Sequence, residues 1–191
     1  LRDIQNFADS IIAQGLKTVV LIGQGGSTQA PMTITKYNKP DSSKITFKTL
    51  DSDSPVRVRA ILAEAKPETT LFVISSKTGG TIGPRLALRA VRDDVADRIS
   101  EEELVQHLVA ITDPGSMLER QAREEGWAAV FSGQPTVGGR FSALSVFGLL
   151  PAALVGIDLE EFMAHAIDAE RPHEREKEKR HINQTAQQQN G

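Results

Sequence analysis

The chain contains no cysteine in 191 residues. That absence excludes disulfides, cysteine-ligated zinc and a thiol nucleophile, and it makes a reducing cytoplasm the default compartment. Also missing is an uninterrupted apolar run of the roughly 18 residues that a membrane-spanning helix needs, so no membrane partner is expected. The most apolar stretch, FSALSVFGLLPAALVGI, is broken by Ser145, Gly148 and Pro151 and reads as a buried helix. A secretory or transit leader is lacking, because LRDIQNFADSII mixes acidic with apolar residues. The chain opens on Leu1 rather than methionine, and its start is expected to be internal to a longer gene product or trimmed. A formal net charge of -3 with pI near 5.8 gives no overall drive toward nucleic acid or anionic lipid. Any anion would have to be held by a local arrangement of donors. No cluster has metal-ligand spacing and no repeat of fixed period is present, so neither a metal nor a cofactor is expected.

An apolar fraction of 39% and a charged fraction of 25% suit one globular domain with a full core. From Asp3 to Gln14, Ile4, Phe7, Ala8, Ile11 and Ile12 share one helical face, and Gly15 follows as a stop. KTVVLIG at 17–23 is a β-branched run bounded by glycine, as expected for a strand covered on both faces. After a stretch read as a Lys, Pro and Ser-rich loop, KITFKTLD at 44–51 forms the second strand; Ser54 and Pro55 then start the helix VRVRAILAEAK. TLFVIS at 70–75 is the third strand, followed by a helix with Ile82, Leu86, Ala90, Val91 and Ile99 in register. LVAIT at 108–112 and AAVFS at 128–132 complete five strands, with a helix ending near Gly126 between them. Residues 142–157 read as one helix, apolar nearly all round, and DLEEFMAHAI as another with Asp158 as its cap.

Strands alternating with helices imply an α/β, three-layer sandwich with a five-stranded parallel sheet in the flavodoxin-like order 2-1-3-4-5. Residues 1–168 are expected to form the domain. The polar tail 169–191 is expected to be a solvated helix or disordered.

In such a sheet a ligand sits outside the carboxyl ends of the strands, where the winding reverses. Two loops meet that condition, GQGGST after the first strand and SSKTGGT after the third. Glycines let the backbone approach a ligand, and the following helix start favours an anion. Ser76, Thr78 and Thr81 add neutral donors and Lys77 can add charge, a set that suits a phosphate monoester. The alternative is a Ser/Thr-rich helix cap with no ligand. Neither loop carries the GxxxxGK nucleotide pattern or a complete dinucleotide fingerprint. A third element, TVGGRFS at 136–142, can deliver Arg140 either to an oxyanion or to a surface carboxylate, and the sequence leaves both open. Asp51 and Asp53 fall after the second strand, while Asp113, ahead of Pro114 and Gly115, reads as a turn or cap residue. His107 lies at the wrong end of its strand, and His165, His173 and His181 lie on the terminal helix or tail, so none is expected to be catalytic. Trp127 and Phe131 read as core.

GQGGS, SSKTGGT and VGGRFSALS, in this order, resemble the glucose-6-phosphate isomerase family, in particular the bacterial form found fused behind transaldolase. AITDPGSMLERQAREEGW and SVFGLLPAALVGIDL are also similar to that family, and the resemblance covers roughly residues 15 to 165. It implies the sugar isomerase (SIS) fold, with this chain as the first of two halves. It further implies that Ser76, Lys77, Thr78 and Thr81 hold the phosphate and that Gly26 and Ser27 contact the sugar. Gly139 and Arg140 would hold the substrate and stabilise an enediolate, with glucose 6-phosphate and fructose 6-phosphate as the partners and a second SIS half or subunit completing the site. The chain departs from the family at three places: Gly80 stands for a threonine, Gly83 for a glutamate and Gln24 for an apolar residue. It also has no Glu-Ser-Asn-Gly-Lys segment, where the family's base lies, and no position matching the ring-opening histidine or the carboxyl-terminal lysine. The leading expectation is therefore half of an isomerase, inactive alone. The alternatives are a non-catalytic module that binds a sugar phosphate for regulation, or a structural domain with a decayed site.

Overall fold

The five apolar runs become the five strands in the computed structural model, which describes residues 1–170. They are β1 (Thr18–Gly23), β2 (Thr46–Leu50), β3 (Thr70–Ser75), β4 (Leu108–Thr112) and β5 (Ala129–Ser132). All pair in parallel in the order β2-β1-β3-β4-β5. β1, β3 and β4 are buried along their whole length, which is why they read as continuous apolar runs rather than alternating ones.

Two helical layers cover the sheet. Val20, Ile22, Phe72, Ile74, Leu108 and Ala110 point to one face, where they pack with Leu62 of α3 (Pro55–Ala63), Leu88 and Val91 of α4 (Ile82–Val95) and Leu118 of α6 (Met117–Glu124). On the other face α7 (Val146–Leu154) packs against β1, α1 (Arg2–Ala13) and α2 (Gly26–Asn38). A one-turn helix α5 (Glu101–Leu104) precedes β4. The three-layer fold and strand order match the sequence reading.

Local corrections have physical causes. The stretch expected to be a loop after β1 is helix α2, with Pro31 inside it and three threonines. Hydroxyls satisfy its backbone, Thr33 Oγ1 donating to Gln29 O at 3.0 Å and Thr35 Oγ1 to Pro31 O at 2.8 Å. Burial of Thr28, Pro31, Ile34 and Thr35 overrides the poor intrinsic propensity. Helix α4 presents a different face from the one expected: Gly83, Pro84, Ala87, Leu88, Val91 and Val95 are buried, whereas Ile82 and Leu86 are exposed. It ends at Val95, so Ile99 lies beyond it. The helix expected over 142–157 divides into a 3-10 segment, Gly139–Leu144, and α7, whose start is capped by Ser145 Oγ accepting from Phe147 N–H at 3.3 Å.

The compact unit spans Leu1–Ile157, and a separate unit begins at Asp158. Its helix, α8, runs from 159 to 170, with Asp158 Oδ1 accepting from Glu161 N–H at 2.9 Å as the expected cap. The polar tail beyond 170 lies outside the described residues. Among those residues no helix is long and apolar enough to cross a membrane.

Arg92 of α4 reaches Glu125, at the end of α6, and Glu101 of α5 at 3.2 Å. Burial pushes the Glu125 carboxyl up, but hydrogen bonds from Arg92, Trp127 and Gln121 outweigh it and leave the group below its ordinary 4.5. A lowered folded value means stability present above the unfolded pKa and lost as pH falls through the folded one. Glu125→Gln should therefore lower the melting temperature by a few degrees at pH 7, with the gap to the parent chain closing toward pH 3. A gap that stays constant across that range in thermal denaturation would contradict the assignment.

Candidate functional site

At the carboxyl edge of the sheet, Gly23 closes β1 opposite Ser75 of β3, and a Cβ on Gly23 would lie 2.8 Å from the Ser75 carbonyl oxygen. This brings the loops after β1 and β3 side by side. The third motif joins them through backbone. A Cβ on Gly26 would lie 2.5 Å from both the carbonyl carbon and oxygen of Gly139, so these two glycines meet with no side chain between them. Ser75 Oγ donates to Ser27 O at 3.5 Å, a further link between the first two loops.

Lys77 ties the second loop to the third. Its ammonium donates to Pro135 O at 2.8 Å and Val137 O at 2.6 Å, and Asp113 Oδ2 lies 3.7 Å away. The charge expected to point at a ligand is thus already coordinated by the protein, and Lys77 acts as a strut. Asp113 closes a turn through its backbone oxygen, as the sequence suggested. Its side chain, however, faces Lys77, and the cap of α6 is Ser116, whose Oγ accepts from Glu119 N–H at 3.0 Å.

The SSKTGGT loop forms a cradle ahead of α4, with Thr81 as N-cap. Ser76 is buried and its Oγ donates to Thr81 Oγ1 at 3.3 Å, while Thr78 and Thr81 are exposed. The backbone turns at Gly79, whose φ of +70° and close approach to Leu118 N, 2.6 Å from a built Cβ, both require glycine. The amides of Lys77, Thr78 and Gly79 find no acceptor among the described residues. Free amides ahead of a helix N-terminus are the groups from which an anion-binding nest is built. Arg140, on the 3-10 segment, is exposed and pairs with no carboxylate among the described residues.

The departures from the family pattern take on a shape here. Gln24 and Gly83 touch: a Cβ on Gly83 would sit 2.4 Å from Gln24 Nε2, which donates to Asp53 Oδ1 at 3.3 Å. A Cβ on Gly80 would make ordinary van der Waals contact, 3.7 Å from Thr78 Oγ1 and 3.8 Å from Met117 Cε. His107 Nδ1 lies 3.2 Å from Thr70 O at the amino end of the sheet, away from the loops. Among the described residues no group of three acidic or histidine side chains could hold a metal. The Gln24–Asp53 and Lys77–Asp113 pairs escaped the sequence reading, since neither has a local signature.

The family model for phosphoglucose isomerase matches residues 8–184. The chain belongs to this family. It is 42% identical over 147 residues to a glucose-6-phosphate isomerase of Synechococcus sp. (strain JA-3-3Ab), covering 76% of this chain and 27% of that protein. The solved glucose-6-phosphate isomerase of Chlamydia trachomatis superposes with TM-score 0.69 at 26% identity, over 80% of this chain and 29% of that one. The sugar isomerase domain of an RpiR transcription factor from Sphaerobacter thermophilus (TM-score 0.52, 19% identity, 90% and 87% of the two chains) shares the fold. The chain spans only about a third of the length of the curated relatives it matches.

Because the atoms facing Gly26 are backbone, they cannot rotate away. Gly26→Ala should cost about 1–3 kcal/mol of folding stability through overpacking, read from urea denaturation. An unchanged midpoint would refute the backbone-to-backbone contact.

Proposed function

We propose that this chain is the amino-terminal, phosphate-holding half of a glucose-6-phosphate isomerase. The reading rests on one observation above all, the amides of Lys77, Thr78 and Gly79 that find no acceptor among the described residues, in one loop with the Thr78 and Thr81 hydroxyls, the latter oriented by the Ser76 Oγ that donates to it. Such a donor set matches the three oxygens of a phosphate monoester. Lys77 contributes its amide to that set, and its side chain fixes the Pro135–Val137 segment that leads to Arg140.

With the phosphate in the cradle, the sugar extends toward Gly26, Ser27 and Gly139. Aldose-ketose isomerisation moves a proton from C2 to C1 through a cis-enediolate, while C1 goes from carbonyl to hydroxyl and C2 from hydroxyl to carbonyl. Negative charge develops on the oxygens in that intermediate, and the exposed Arg140 guanidinium, which has no carboxylate partner among the described residues, supplies the compensating charge. Proton transfer also requires a base within hydrogen-bond reach of C2. This chain has no Glu-Ser-Asn-Gly-Lys segment, and its site-facing Asp113 is held by Lys77, so the base is assigned to a second half or subunit. A cytoplasmic location belongs to the same proposal.

Binding without turnover is the expected behaviour of the isolated chain. Fructose 6-phosphate at about 100 times its Kd should raise the melting temperature by about 5–10 °C, from the linkage relation and the size of the domain. No shift at millimolar ligand would refute the phosphate site, and isomerase turnover by the chain alone would refute the division of labour.

A further inference from the structure

The cradle and Arg140 supply donors, positive charge and a few neutral hydroxyl oxygens, two of which already accept within the loop, Thr81 Oγ1 from Ser76 and Thr78 Oγ1 from Gly80 N–H. A sugar phosphate also carries hydroxyl groups whose protons need acceptors, and a site without a carboxylate acceptor would discriminate weakly between the sugar phosphate and inorganic phosphate. Three carboxylates flank the carboxyl edge of the sheet. Asp51 lies 4.0 Å from Arg57 and Asp113 lies 3.7 Å from Lys77, so both face cations. Asp53 alone faces a neutral partner, the Gln24 amide at 3.3 Å. That bond consumes one Nε2 proton and one lone pair of Oδ1, leaving Oδ2 and Gln24 Oε1 able to accept.

The pair is also in the right place. Gln24 stands two residues ahead of Gly26, which meets Gly139 beside Arg140. Its amide crosses the first turn of α4 at Gly83, two residues after the N-cap Thr81, and does so only because Gly83 has no side chain: a Cβ there would be 2.4 Å from Nε2, and 2.8 Å from Asp53 Oδ1. Gln24 and Asp53 are exposed, whereas Gly83 is buried beneath them. The three residues come from the β1 loop, the β2 loop and the start of α4.

We propose that Gln24 and Asp53 form the hydroxyl-recognising subsite of this cradle, accepting protons from the polyol chain of the phosphate ester, and that Gly83 is the clearance that lets them do so. The inference rests on the phosphate reading above and adds the residues that separate a sugar phosphate from a bare phosphate ion.

Fructose 6-phosphate and inorganic phosphate, titrated separately into the chain and followed by amide chemical shifts, distinguish the cases. Gln24→Ala and Asp53→Ala, both at exposed positions, should each weaken fructose 6-phosphate about 3- to 10-fold, the effect of one hydrogen bond, while changing inorganic phosphate by less than about twofold. The atoms nearest a Cβ in Gly83→Ala are the flexible ends of Gln24 and Asp53, so the variant should fold, displace the pair and weaken the sugar phosphate as Gln24→Ala does. The Gly83→Ala, Gln24→Ala double variant should bind no more weakly than either single variant, because both remove the same contact. Equal weakening of both ligands, additive single effects, or unchanged affinity for the sugar phosphate would each overturn the subsite. If neither ligand binds the parent chain, the phosphate cradle itself is wrong, and the subsite falls with it.

Discussion

Three loops from distant parts of the chain are locked to one another by a glycine-to-glycine backbone contact and by one half-buried strut. Gly26 lies against Gly139, and the Lys77 ammonium spans from the β3 loop to Pro135 and Val137. The parallel sheet brings the loops to the same edge, but it does not fix their distance from each other. These contacts do. Their cost is that Lys77 is committed within the protein, with Asp113 as counter-charge, which leaves Arg140 as the cation of the set that is exposed and without a carboxylate partner.

That arrangement divides the chemistry. Backbone amides and hydroxyls at the start of α4 suit a phosphate, where charge is fixed before and after reaction. An exposed guanidinium with no carboxylate partner among the described residues suits charge that develops only during reaction. On the proposed reading the chain would supply binding and electrostatic stabilisation, and the proton-transfer groups would lie in the part of its relatives' length that it does not span.

Much of this was legible in the sequence. The buried strands announce themselves because both faces are covered, so Val19 to Ile22 and Leu71 to Ile74 are continuous apolar runs. The strand order followed from alternation with helices, and the loop motifs from glycine and hydroxyl residues placed after strands. Helix α2 was not legible, because Pro31 and its threonines argue against a helix that only burial against β1 and α7 explains. The buried face of α4 is not legible either, since Ile82 and Leu86 form a plausible stripe, yet Ala87, Leu88, Val91 and Val95 are what enter the core. Nor could Gly83 be understood from its own neighbours. It reads as a lost side chain until Gln24, far away in sequence, is seen lying across it.

The three loops are expected to act as one site. A titration of fructose 6-phosphate followed residue by residue in amide spectra tests it. The amides of Gly26, Thr78, Gly79, Thr81 and Gly139 should shift together along a single saturable curve. Different affinities for the three loops, or shifts confined to the groove lined by Lys36, Lys39 and Arg57, would contradict it.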